Sequence, residues 1–231
     1  MKKFLWMGAL CLLAGNLLAQ PKKSEQRFPA GPATAIILDV KYATRIVVQT
    51  WDNPEVLLQT EVNINGGRDN DALKVEVGQT KEQLSVRADV ENLSQLSRAH
   101  QYHYRGNADS TWREDRWLDI HFTVYVPRKA ALQIRTVSGD VDIVHNGGEL
   151  TATSVGGSID LTMRDDQAAD VRMSTVGGEV FTNFSLEAFR KDGAPPPQPG
   201  NRCFCGKLKG GGTRVVLTST GGDIFLRKAG S

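Results

Sequence analysis

Four stretches in the second half of the chain repeat one pattern: 132–143, 150–161, 171–182 and 215–226. Each opens as an alternating apolar/polar strand and turns a corner of Thr/Ser, Val/Thr, Gly/Ser and Gly. It then runs on as a second alternating strand. A unit of about 20 residues with a glycine corner cannot bury its own apolar face, so such units stack on one another. Alternation places Leu132, Leu150, Val171 and Val215 in one column and Ile134, Ala152, Met173 and Leu217 in the next. Beyond the corner follow Val141, Ile159, Val180 and Ile224, then Ile143, Leu161, Thr182 and Leu226. Rungs about 4.8 Å apart would turn each column into a continuous apolar ladder. Burying one Leu or Ile is worth roughly 1.5–3 kcal/mol. The pattern predicts an all-β protein, a β-solenoid with N-terminal β-strand rungs and its solenoid domain over 35–228.

The corner glycines Gly139, Gly157, Gly178 and Gly222 are expected to sit at positive φ, where Gly meets no steric penalty. A phosphate-cradling loop would need a helix after the glycines, and a strand follows each of them instead. The outward column after the corner reads Asp142, Asp160, Phe181 and Phe225. The two carboxylates on neighbouring rungs have the residue types of a general acid/base pair or a calcium site. The calcium nonapeptide and the Asp-x-Asp-x-Asp-Gly loop are both absent. The two carboxylates read as solvated strand residues softened by basic neighbours, and the only other group to set with them is Arg135, on the other side of the corner. Phe181 and Phe225 are expected to lie under an inserted loop.

That insertion is visible in the spacing. Successive repeats start about 18, 21 and 44 residues apart, so a loop over 187–212 is spliced into one unit. It holds Pro195–Pro197, Cys203-Phe-Cys205 and Gly210–Gly212. The cysteine pair reads as a possible disulfide or a pair of thiols. Two thiolates fall short of the four ligands of a structural zinc site, so no metal is expected.

Upstream, the segments 36–40, 45–50, 55–63, 73–77 and 83–90 read as strands separated by turn text. A weak helical period appears around 91–99. A polar loop over 91–117 follows, and Leu118 to Val126 resumes as a strand ended by Pro127. The loop carries Tyr102, Tyr104, Trp112 and Trp117 among charged residues, a mixture suited to contacting a glycan or a protein partner. The competing reading is a cover for one end of the stack. His100 and His103 lie there without an evident third ligand.

Met1 to Ala19 reads as a secretory signal peptide: Lys2 and Lys3, an apolar Phe4–Leu13, and a small-residue end at Ala19. Gly15, Asn16 and Gln20 leave it too short for a bilayer span. No later segment spans either, so the chain is not expected to be an integral membrane protein. Residues 20–34 read as a flexible tether. Losing Lys2 and Lys3 leaves 26 basic against 26 acidic residues. That balance argues against a nucleic-acid partner, which would need a basic surplus.

The Val124-Tyr-Val-Pro127 strand end, the Thr136-Val-Ser-Gly-Asp-Val-Asp-Ile143 phrase with its Gly-Gly echoes, and Gly210-Gly-Gly212 together resemble a known family. It is the bacterial "putative adhesin" β-strand-repeat type, DUF4097 and DUF2807, over roughly 35–228. The resemblance implies an exported single-stranded β-helix of right-handed sense, with no catalytic residues or cofactor to transfer. The expected function is a non-enzymatic envelope module, binding or structural, whose partner is an envelope protein or a glycan. The alternatives are a polysaccharide-acting β-helix enzyme using Asp142 and Asp160, or an envelope signalling accessory.

Overall fold

The structure is a computed structural model and describes residues 21–31, 33–96, 118–145, 147–188 and 202–230, the side chains of Ala188, Arg202 and Cys203 excepted. Fifteen strands form one open sheet. In the N-terminal half these are β1 (Lys22–Pro29), β2 (Ala35–Trp51), β3 (Glu55–Ile64), β4 (Leu73–Gln79), β5 (Gln83–Val90) and β6 (Leu118–Pro127). The repeats supply β7 (Leu132–His145), β8 (Leu150–Ser154), β9 (Ile159–Met163), β10 (Ala169–Thr175) and β11 (Val180–Thr182). The insertion supplies β12 (Glu187–Ala188) and β13 (Arg202–Leu208), and the last repeat β14 (Thr213–Ser219) and β15 (Ile224–Lys228). The weak helical period leaves one turn, α1 (Leu93–Leu96).

Each repeat is one rung with two arms joined at the corner, and the arms stack in parallel register. β7 pairs with β8, β8 with β14 and β14 with β10 along the first arm. Along the second arm β7 pairs with β9, β9 with β15 and β15 with β11. All four expected columns exist: Leu132, Leu150, Val215 and Val171 are successive register partners, as are Ile143, Leu161, Leu226 and Thr182. The aliphatic members are buried except Val180, which is half-exposed near the end of the stack.

Two features extend the repeat reading. β2 is itself a bent rung, its register shifting between Tyr42 and Arg45, and it pairs with β7 through both arms. The segments 36–40 and 45–50 are therefore arms of one strand. β5 and β6 pair in parallel with the first and second arms of β2, so they form a further rung whose arms are separated by about 27 residues of chain. The apolar columns thus continue through Ile36 to Leu84 and through Ile46 to Phe122. The second feature is rung order. The C-terminal rung, β14–β15, lies between the second and third repeats, so chain order and spatial order differ.

Antiparallel strands flank the parallel stack. β4 pairs with β5, β3 with β6, and β1 with β3 at one end. At the other end β13 pairs with β10 and β12 with β13. Lys22–Pro29 lies in the segment expected to be a tether, yet all eight residues pair with β3. Its Lys, Glu, Arg and Pro are edge-strand residues that discourage further pairing, which is why it lacks an apolar signature. The insertion and the residues just before it close the far end: Phe184 and Leu208 are buried, and Leu186 lies so near β13 that a Cβ at Gly206 would meet it at 2.8 Å.

The corner glycines recur for a reason other than the one expected. Gly139 alone of the four has positive φ, at +110°. A Cβ on Gly157 would stand 2.0 Å from the carbonyl oxygen of Gly139, one on Gly222 2.3 Å from that of Gly157, and one on Gly178 2.2 Å from that of Gly222. The rungs touch backbone to backbone at the corner, and any side chain would hold them apart. Beside the glycines runs a buried column of hydroxyls: Thr136, Ser154, Ser219 and Thr175. Ser219 Oγ accepts from Gly222 N at 3.0 Å and donates to Gly157 O at 3.1 Å, while Thr175 Oγ1 accepts from Gly178 N and donates to Gly222 O. The hydroxyls satisfy backbone groups that the bend leaves without ladder partners.

Candidate functional site

The outer face of the second arm carries the chemistry the sequence singled out. Asp142 and Asp160 are direct register partners, followed by Phe225 and then Phe181. Arg45 of β2 binds the Asp142 carboxylate, which holds the guanidinium pKa above its ordinary value. Arg227 Nε lies 2.8 and 3.0 Å from the two oxygens of Asp160, with its Cζ 4.7 Å from the centre of the Phe225 ring. Phe225 in turn stacks on Phe181, centroids 5.1 Å apart and planes 11° from parallel. The ladder reads arginine, carboxylate, carboxylate, arginine, ring, ring, so its charges cancel in pairs.

Several expectations are corrected by this geometry. Phe181 is 44% exposed, and the described part of the insertion adds to β10 of the other arm and does not cover the rings. Arg135 does not join the carboxylates: it stands on the first arm, opposite Asp39 and Thr153. The groups that do reach them, Arg45 and Arg227, escape the repeat alignment. Arg45 belongs to a rung outside the four repeats, and Arg227 lies one residue beyond the repeated phrase.

Tyr102, Tyr104, Trp112 and Trp117, together with His100 and His103, lie outside the described residues. Cys205 sits in β13 opposite Arg172 and Cys203 opposite Ser174. The Cys203 side chain, and with it the expected Cys203–Cys205 disulfide, lies outside the described residues. His121 binds Asp119 at 2.8 Å. His145 is fully buried at the end of β7, its Nε2–H donating to Gly148 O at 2.6 Å while Nδ1 has no partner. Burial holds its imidazole below the ordinary pKa, partly offset by that hydrogen bond.

At the other end of the same outer face, β1, β3 and β6 frame a shallow groove of about 410 Å³ lined by Glu25, Gln59, Lys23, Glu61 and His121. Its charges too are matched: Lys23 with Glu61 at 3.1 Å, and Glu25 with Arg27 and Gln59. The hydrogen bond from Gln59, then Arg27, holds the Glu25 carboxyl below its usual range. Asp52, Asp71 and Asp166 are likewise lowered, chiefly by Arg128, Lys22 and Arg164. A general acid needs the opposite displacement, which burial would produce. Among the described residues no three His, Cys, Asp or Glu gather as metal ligands, and no helix is long and apolar enough to cross a membrane.

No family model and no curated protein matches the chain. Among solved structures it is similar to one named a "putative cell adhesion protein" from Clostridium sporogenes, with 9% identity and a TM-score of 0.53, covering 90% of this chain and 100% of that one. A "putative lipid binding protein" from Parabacteroides distasonis aligns at 11% identity and a TM-score of 0.34, covering 71% of this chain and 54% of that one. A "putative adhesin" from Bacteroides fragilis aligns at 12% identity and 0.24, covering 90% and 97%. At such identities likeness bears on fold alone, and only the first carries that argument: this chain shares the all-β architecture of the Clostridium protein.

Proposed function

We propose that this chain is an exported, non-enzymatic, adhesin-like module of the bacterial cell envelope, a single-stranded right-handed β-solenoid that binds or braces a partner there. The observation that carries this reading is the outer ladder from Arg45 to Phe181, in which both carboxylates are bound to arginines while an aromatic pair faces solvent. Six stacked rungs hold surface groups at the fixed spacing of the strands, which suits them to recognition. The signal-like 1–19 segment and the similarity to a protein named for adhesion support the location and the class.

The test is to present the purified protein to a glycan array and, separately, to capture envelope proteins by cross-linking. Saturable binding lost in Phe181→Ala is the expected result. Turnover of a polysaccharide that Asp142→Asn or Asp160→Asn abolishes would replace this reading with an enzymatic one.

A further inference from the structure

The interleaved C-terminal rung has a consequence for association. The second repeat (β8–β9) and the third (β10–β11) are joined only through residues 164–168, yet they stand two rungs apart because β14–β15 is wedged between them. That step is about 9.6 Å rather than 4.8 Å. With the wedge withdrawn, the slot presents a parallel edge on each side and two apolar columns that need filling.

What fills it is generic in shape and specific in register. Val215 meets Leu150 on one side and Val171 on the other, and Ile224 meets Ile159 and Val180. The corner bonds are of one type at both junctions: hydroxyl to glycine carbonyl, Ser219 to Gly157 below and Thr175 to Gly222 above. The rung enters the slot through one connection, Lys209–Gly212, which carries the chain from β13 past the start of β10 to β14. All four of these residues have positive φ, at 51°, 82°, 87° and 151°. A Cβ on Gly211 would meet only the side-chain ends of Asp170 and Lys207, which can move aside, so the crossover depends on glycine for conformation.

We propose that β14–β15 is an exchangeable insert, and that the slot between the second and third repeats accepts the same rung from a second copy of this chain. The contacts made by the inserted rung are then the same within one molecule and between two; only the crossover changes, opening from its tight left-handed path. Exchange of an element through a hinge is a low-barrier route to a symmetric dimer because it needs no new interface.

The experiment uses the whole chain with its native cysteines, Cys11, Cys203 and Cys205, replaced by Ser. Thr151 and Val216 are outward-facing register partners on β8 and β14. Protein bearing Thr151→Cys alone is mixed with protein bearing Val216→Cys alone, unfolded, refolded together across a range of concentrations and oxidised. A disulfide-linked heterodimer that increases with concentration is expected. The control pair Gln133→Cys with Val216→Cys, whose strands are not neighbours, should give little. Equal cross-linking in both mixtures, or none in the first, overturns the proposal. A second reading comes from Gly211→Ala in otherwise unaltered protein. Straining the closed crossover should raise the dimer fraction severalfold at fixed concentration, measured by light scattering, and an unchanged fraction overturns the hinge and the exchange with it.

Discussion

Ser219 Oγ stands 3.1 Å from the carbonyl oxygen of Gly157 and donates to it from the neighbouring rung, while accepting from Gly222 N of its own corner. Ser219 is buried, so both backbone groups depend on this one hydroxyl. Ser219→Ala should therefore lower unfolding free energy by about 1–3 kcal/mol, because a buried donor and acceptor lose their partner. Ser219→Thr should retain most of it, since Thr175 fills the same position one rung away. Urea denaturation of the three proteins decides the matter, and equal stabilities would show that the hydroxyl column is incidental.

Gly157→Ala brings a Cβ to 2.0 Å from Gly139 O, backbone against backbone, where nothing flexible can yield. A loss of about 3 kcal/mol or more is expected, at the upper end of overpacking effects. Gly66 offers the contrast: its φ is +67° and no atom lies within 4 Å of an added Cβ. Gly66→Ala should cost only about 1–2 kcal/mol of conformational strain. Equal losses at the two sites, measured by thermal and urea unfolding, would contradict close approach as the reason for the corner glycines.

His145 supplies a pH dependence whose sign follows from its burial. Its folded pKa is pushed below the ordinary 6.5, mainly by desolvation. Above 6.5 the imidazole is neutral in both states and stability is fully present. As pH falls below 6.5 the unfolded chain binds the proton first, and stability declines until the folded pKa is reached. Urea midpoints compared between about pH 7.5 and pH 5.5, a window bracketing the ordinary imidazole value, should fall for the native chain. They should fall less for His145→Gln. Parallel declines would show that other groups set the dependence.

The Arg227–Asp160 pair is half exposed, with side-chain exposures of 51% and 30%. Its coupling in a double-mutant cycle should therefore stay below about 1 kcal/mol and shrink in high salt. Asp160→Asn should leave the fold intact, which makes it a clean probe of any chemistry at this face. A coupling of several kcal/mol would mean that the pair is buried by something that covers the ladder.

The apolar columns were legible before any coordinates because alternation is local: Ile143, Leu161 and Leu226 repeat at equivalent positions, and strand pleat turns equivalent positions the same way. The N-terminal rungs were half legible. Each arm of β2 reads as a strand, but no Gly-Gly corner joins them, so nothing in the sequence marks the bend at Tyr42–Arg45. The partners of Asp142 and Asp160 were missed because an ion pair across rungs leaves no pattern along one rung. β1 escaped notice for the opposite reason, since an edge strand exposed on both faces needs no apolar alternation at all.

What the amino-acid order determined alone is the class of architecture and which side chains point inward, because both follow from a period of two and a corner that excludes Cβ atoms. What only tertiary structure decided is which rung lies beside which. The repeats offer their neighbours closely equivalent columns, largely apolar, so stacking by itself ranks one order only weakly above another. Long-range contacts add to the ranking: β13 closes on β10, and Phe184 and Leu208 are buried at that end. The register pairs of β13 with β10 lie between 27 (Thr175↔Arg202) and 39 (Ala169↔Leu208) positions apart, and no local pattern encodes them.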